Sequence, residues 1–295
     1  MQANVVAQAI RLADEGVISA ESLYKTAVGQ TAGSPADDME IMLGYMQQLP
    51  PAKRDHIWFE MSAKYLPQLV EYWRGDESGP MPPAARAMNV ASYTPYFVRF
   101  LNSPAGEGLA ALHTKRVAQF ADDLTKQAIP DRVAEANQFL ATLLLIQGPD
   151  GVDPADKQAL LPKLKTWKNM PIFRGRLASE ASDRVLSLLT NNRVLEMQMV
   201  KTMLLRSLNE CGAPGCQVSS GLQRCGRCKT IGYCDETHQK QAWSKHKKLC
   251  FATNFDDARS VKVEPVKAEP EEPEAVKVEP EETEPVKTEP AVKLE

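Results

Sequence analysis

Cys211-Gly212-Ala213-Pro214-Gly215-Cys216, Cys225-Gly226-Arg227-Cys228, Cys234-Asp235-Glu236-Thr237-His238 and His246-Lys247-Lys248-Leu249-Cys250 are four fragments of one forty-residue stretch. Together they hold all six cysteines of the chain and two of its four histidines. Eight candidate donors supply two tetrahedral zinc sites with none left over. Two residues between Cys225 and Cys228 let one tight turn present both sulfurs to one ion. Three residues between His246 and Cys250 put both donors on one helix face, a turn apart. A disulfide framework is the competing reading. The chain opens Met1-Gln2-Ala3-Asn4, without a basic n-region or an apolar h-region. An intracellular protein is therefore expected, in which cysteines confined to so short a stretch bind metal.

The stretch resembles a MYND-type zinc finger. The matching residues are Arg224-Cys225-Gly226-Arg227-Cys228-Lys229, Gly232-Tyr233-Cys234, His238-Gln239-Lys240, Trp243 and His246-Lys247-Lys248-Leu249-Cys250. The resemblance implies interleaved ligand pairs. Zinc one would take Cys211, Cys216, Cys234 and His238, and zinc two would take Cys225, Cys228, His246 and Cys250. Spacing alone does not give this pairing. The chain departs from the family pattern in the four residues between Cys211 and Cys216, where two are more usual, and in His238, where cysteine is more usual. Imidazole serves zinc well, so a Cys3His site remains sound. Each ion would be structural, closed by four protein ligands. Trp243 and Tyr233 are expected to pack the finger's small core, and a unit this size needs its metal to fold.

Charge is unevenly spread. The whole chain of 295 residues carries a formal net charge of −3, yet residues 211–250 carry seven Lys/Arg against two Asp/Glu. The basic residues can offset a thiolate-rich site, or lie on a solvated face. Direct nucleic-acid binding is the weaker alternative, because the aromatic interleaving needed for base stacking is thin.

Residues 1–209 read as an all-α domain of unassigned role. Val5, Val6, Ala9, Ile10 and Ala13 recur at helical spacing, with Gly16 as a stop. Ser19 is positioned to cap the next helix. Ser34-Pro35-Ala36-Asp37 and Asp153-Pro154-Ala155-Asp156 are start signals, as is Ser103-Pro104. Pro50-Pro51 restarts a helix that Pro67 should kink, Gly75 to Pro83 reads as a loop, and Pro95 should interrupt a further helical region. A last helix through Val194, Met197, Val200, Leu204 and Leu208 runs into Cys211. Its Met197, Met199 and Met203 are expected in the core, with a groove as the alternative. A compact or slightly superhelical antiparallel bundle is the expected architecture.

Catalytic chemistry is not visible. No cysteine precedes Cys211, and His56 and His113 sit in ordinary helical sequence. No glycine-rich loop follows a strand. Some proteins with MYND fingers are SET-domain lysine methyltransferases, but the mostly β catalytic domain and the cofactor segment those need are not seen here. The chain is expected not to be an enzyme and shows no small-molecule substrate site. No apolar run approaches the roughly 20 residues of a membrane span.

Residues 251–295 read as a disordered acidic tail. From Val261 to Glu295 there are five lysines and eleven glutamates, too little apolar surface to offset ordering entropy. Each lysine sits in a Val-Lys-x-Glu unit: Lys262, Lys267, Lys277, Lys287 and Lys293. The unit resembles the consensus for attachment of the small ubiquitin-like modifier. A Pro/Glu/Lys/Val spacer lengthened by slippage is the plainer reading, and the residues leave both open.

The resemblance implies a zinc-binding adaptor that docks short proline-containing peptides and recruits protein partners, often in transcription or chromatin. A nuclear rather than cytoplasmic location is weakly favoured. A ubiquitin-ligase-like module and a nucleic-acid-binding zinc-finger protein are the alternatives.

Overall fold

Proline writes much of the helical punctuation. In the computed structural model, which describes residues 2–192 and 194–255, six helices carry proline in their first turn: α3 (Pro35–Gln48), α4 (Pro51–Gly75), α5 (Pro83–Ala91), α6 (Pro95–Leu101), α9 (Pro130–Gln147) and α10 (Pro154–Asn169). The missing N–H costs nothing there, and the fixed φ suits the helix. Around them run α1 (Gln2–Asp14), α2 (Ala20–Ala27), α7 (Leu109–Gln119), α8 (Ala121–Gln127), α11 (Leu177–Leu189) and α12 (Val194–Asn209). The finger adds β1 (Gln223–Arg224), β2 (Gly232–Tyr233) and α13 (Glu236–His246). Among the described residues, those two short antiparallel strands are all the sheet there is. The all-α reading of the region before the finger holds. No described helix is long and apolar enough to cross a membrane.

The core is built on α9, buried along most of its length from Val133 to Ile146. It packs on α11 and α7 and touches α5, α6 and α12. Trp58, Trp73, Trp167, Phe97, Phe100, Phe139 and Phe173 are fully buried around it. Burying such side chains stabilises by roughly 1.5–3 kcal/mol each. The buried Arg116 ties α7 to the end of α4, donating to the carbonyls of Trp73 and Arg74. Finger and helices belong to one compact unit.

Several expectations need correction. Ser34 makes no side-chain cap to α3, and Thr31 donates instead to the Asp38 carboxylate at 2.7 Å. Asp153 and Ser19 do cap, accepting from Ala155 N and Ser22 N. Ser103-Pro104 opens only a three-residue 3-10 turn, Pro104–Gly106, and α7 starts later. Pro67 lies inside one continuous helix, Pro51–Gly75, which is compatible with the expected kink. Met199 and Met203 are exposed and Met197 is half-buried. α12 turns Leu205 and Leu208 to the core instead, on its opposite face.

Candidate metal centre

The finger is assembled from two loops and a helix. The Cys225–Cys228 knuckle closes where Cys225 N donates to Ile231 O and Lys229 N to Cys225 O, at 2.9 and 2.8 Å, with Lys229 left-handed at φ 50°. The Cys211 loop is laid against β2 by Gly212 N donating to Gly232 O at 2.9 Å. That approach needs glycine: a Cβ at residue 212 would stand 2.6 Å from Ile231 Cγ2 and 3.0 Å from the Tyr233 ring. Asp235 caps α13, accepting from His238 N at 2.9 Å. Residues 238 and 246 therefore sit at opposite ends of one short helix, too far apart to serve one ion.

Two donor groups result. The ligand atoms of Cys211, Cys216, Cys234 and His238 all lie within 4.8 Å of one another, as do those of Cys225, Cys228, His246 and Cys250. In the first, Cys216 and Cys234 sulfurs are 3.6 Å apart and Cys211 Sγ is 3.5 Å from His238 Nδ1. In the second, Cys225 and Cys250 sulfurs are 3.8 Å apart and Cys228 Sγ is 3.7 Å from His246 Nε2. A tetrahedron with Zn–S bonds of about 2.3 Å has edges of about 3.8 Å. These separations fit such an ion and are far too long for disulfides; all six cysteines are unbridged.

Electrostatics agree with that fit. Burial and the neighbouring thiols push Cys234 and Cys250 up to about 12. Burial alone would raise Cys211 too, but the backbone N–H groups of Ala213 and Cys234 bring it down to about 7. Cys225 is lowered and Cys228 raised. Each group thus places a thiol shifted towards ionisation beside at least one that resists it, a cost that a dication removes.

The helices hold this centre in ways the sequence did not disclose. Arg99, buried on α6, donates through Nη1 to Cys228 O at 3.2 Å and to Thr253 Oγ1 at 3.1 Å. Tyr96 Oη donates to Leu249 O at 2.9 Å and accepts from Phe251 N at 2.8 Å. His56 Nδ1 donates to Lys248 O at 2.9 Å. Phe255 packs edge-on against Phe100 beneath the Arg99 guanidinium. The available signal was a lone arginine inside an otherwise apolar run, Tyr96 to Leu101. Tyr233 is buried as expected, but Trp243 is 41% exposed. Only half of the aromatic pair assigned to the finger core is there. His113 is fully buried among Trp73 and Phe139, with Nε2 donating to Ala136 O. Lys262, Lys267, Lys277, Lys287 and Lys293 lie outside the described residues.

The MYND finger family matches residues 209–250. Egl nine homolog 1 of Mus musculus is 38% identical over 55 residues, which cover 19% of this chain and 14% of that protein. The chain therefore matches only a small part of that relative's length. No solved structure matches the chain. Residues 209–250 are a MYND finger, a zinc-binding, non-enzymatic protein-interaction domain whose two donor groups fit two zinc ions.

Proposed function

We propose that this chain is a zinc-stabilised adaptor. In this reading Cys211, Cys216, Cys234 and His238 hold one ion, and Cys225, Cys228, His246 and Cys250 the other. The finger recruits partners through short proline-containing segments, in a transcriptional or chromatin-linked setting in the nucleus. The observation that carries the reading is the closure of each donor group by four protein side chains. A closed tetrahedron leaves no vertex for water or substrate, so the metal shapes a surface rather than reacting. Trp243 on α13 gives that surface an exposed aromatic, the residue type that most often anchors an interface.

The reading extends to the rest of the chain. Residues 1–209 form a helical domain of unassigned role, 211–250 the finger and 251–295 a tail whose first residues, Phe251 to Phe255, pack on the helices and whose five Val-Lys-x-Glu lysines are candidate modification sites. The chain as a whole is not an enzyme. His113 is walled in by aromatic rings, and no cysteine lies outside the finger.

The test is titration of the zinc-loaded full chain with an array of proline-containing peptides, beside Trp243→Ala and the double variant Cys225→Ser, Cys234→Ser. Binding should fall at least about tenfold in Trp243→Ala at unchanged zinc content, and vanish in the double variant. Peptide binding equal in all three proteins would sink the adaptor reading.

A further inference from the structure

The solvent face of α12 is apolar where a surface helix should be polar. Leu195, Met199 and Met203 are 83%, 69% and 74% exposed and follow one another at intervals of four. They form a single ridge along the helix. Val200 beside them is 37% exposed. The core does not need these residues, since Leu205 and Leu208 face inward towards α6 and α9. Charge is scarce beside the ridge. Between residues 195 and 205 the one exposed charged residue is Glu196, while Lys201 is half-buried. Thr202 Oγ1 donates back to Gln198 O at 2.9 Å. That bond satisfies the hydroxyl within the helix. The ridge ends at Arg206 and Glu210, which pair with each other at 2.6 Å and border a separate 460 Å³ groove against the finger.

We propose that this ridge is a homodimer interface and that its occupant is the same ridge on a second copy of this chain. The pattern is self-complementary. With Met199 on a twofold axis and the two helices antiparallel, Leu195 meets Met203 of the second copy and Met199 meets its equivalent. Ridges of this i±4 type interlock at the commonest helix crossing angle, about −50°. Glu196 lies to one side of the ridge, three residues from the axis, so the two copies of it stand roughly 9 Å apart along the helix direction. No like charges are pressed together. An exposed apolar patch of a few hundred Å² is about the largest that a typical monomer carries, and such patches are often functional. Two such patches together approach the roughly 1,000 Å² at which specific interfaces begin. Methionine suits the role because its flexible thioether fills the irregular gaps of a two-sided contact. Twofold pairing is also the commonest form of self-association. This inference goes beyond the adaptor reading and does not depend on it.

The test is sedimentation velocity on the zinc-loaded full chain between about 1 and about 100 µM, a range that brackets the dissociation constant of a small interface. The mass should climb from 32.6 kDa towards twice that value. In the double variant Met199→Glu, Met203→Glu it should stay at 32.6 kDa throughout, a rise of at least about 100-fold in the dissociation constant. Both positions are exposed, so zinc content and far-UV circular dichroism should match the parent. Gln158→Glu, an added charge on the solvent face of α10, should leave the dimer intact. A parent that is monomeric at every concentration overturns the proposal. So does a dimer that survives the double variant, or one that Gln158→Glu also dissolves.

Discussion

The backbone N–H of Asn254 donates at 3.3 Å to the carbonyl of Ala63, the acceptor that Pro67, four residues on, leaves free inside α4. A proline that disrupts the helix's own ladder thus provides a docking point for the segment leaving the finger. The Asn254 side chain adds a contact to Gln68 Oε1 at 3.3 Å and another to Lys64 O.

Pro67→Ala should return that carbonyl to the helix. Hydrogen exchange at the Asn254 amide should then accelerate by about tenfold or more, while α4 itself becomes better protected. An Asn254 amide as slow as in the parent protein would show that the bond does not depend on the proline.

Arg99→Ala should loosen the finger from the helices. It removes a buried guanidinium that serves Cys228 O and Thr253 Oγ1 and covers Phe255. A loss of about 2–4 kcal/mol is expected in denaturant unfolding. Arg99→Lys should recover only part of it, because one ammonium cannot span both acceptors in the same fork. Full recovery with lysine would reduce the role of Arg99 to its charge.

Chelation should remove both ions in one step. The two donor groups alternate along the chain, so freeing Cys234 and His238 from the first also loosens the segment between Cys228 and His246 that spaces the second. Zinc release against chelator concentration should be monophasic at two ions per chain, with most far-UV helical signal retained because α13 is short. Two well-separated release phases would contradict this coupling.

Acid should find His113. Burial holds its pKa at about 4, against an ordinary 6.5. Between those values the unfolded chain binds the extra proton and the folded chain does not. The contribution is therefore fully present above about pH 6.5 and is lost as pH falls towards 4, on the order of 3 kcal/mol in all. His113→Phe should flatten this part of the stability–pH curve relative to the parent. An unchanged difference between the two proteins from pH 7 to pH 4 would falsify the assignment.

Much of this was legible before any coordinates. Proline at the first helical position marks a helix start through covalent geometry alone, so α3, α4 and α10 could be read locally. The eight donors announced themselves by type and spacing. What escaped depends on non-local packing. Which face of α12 turns inward is decided by α6 and α9, and both faces of that helix are apolar, so periodicity could not choose between Met199 and Leu205. Pro67 read as a kink, but the partner of the carbonyl it releases was not visible in sequence; that partner lies 191 residues after Ala63, at Asn254. Trp243 and Tyr233 read alike as core aromatics, yet only Tyr233 lies under the Cys211 loop.

The alternation of donors also sets an order in time. During synthesis the first donor group is incomplete until His238 has emerged, and the second until Cys250. The first half can therefore close while the second still lacks His246 and Cys250. By then the helices that carry Arg99, Tyr96 and Ala63 have long left the ribosome. The finger is therefore born against a surface that is already waiting, and the helical bundle acts as the mould in which its last segment is cast.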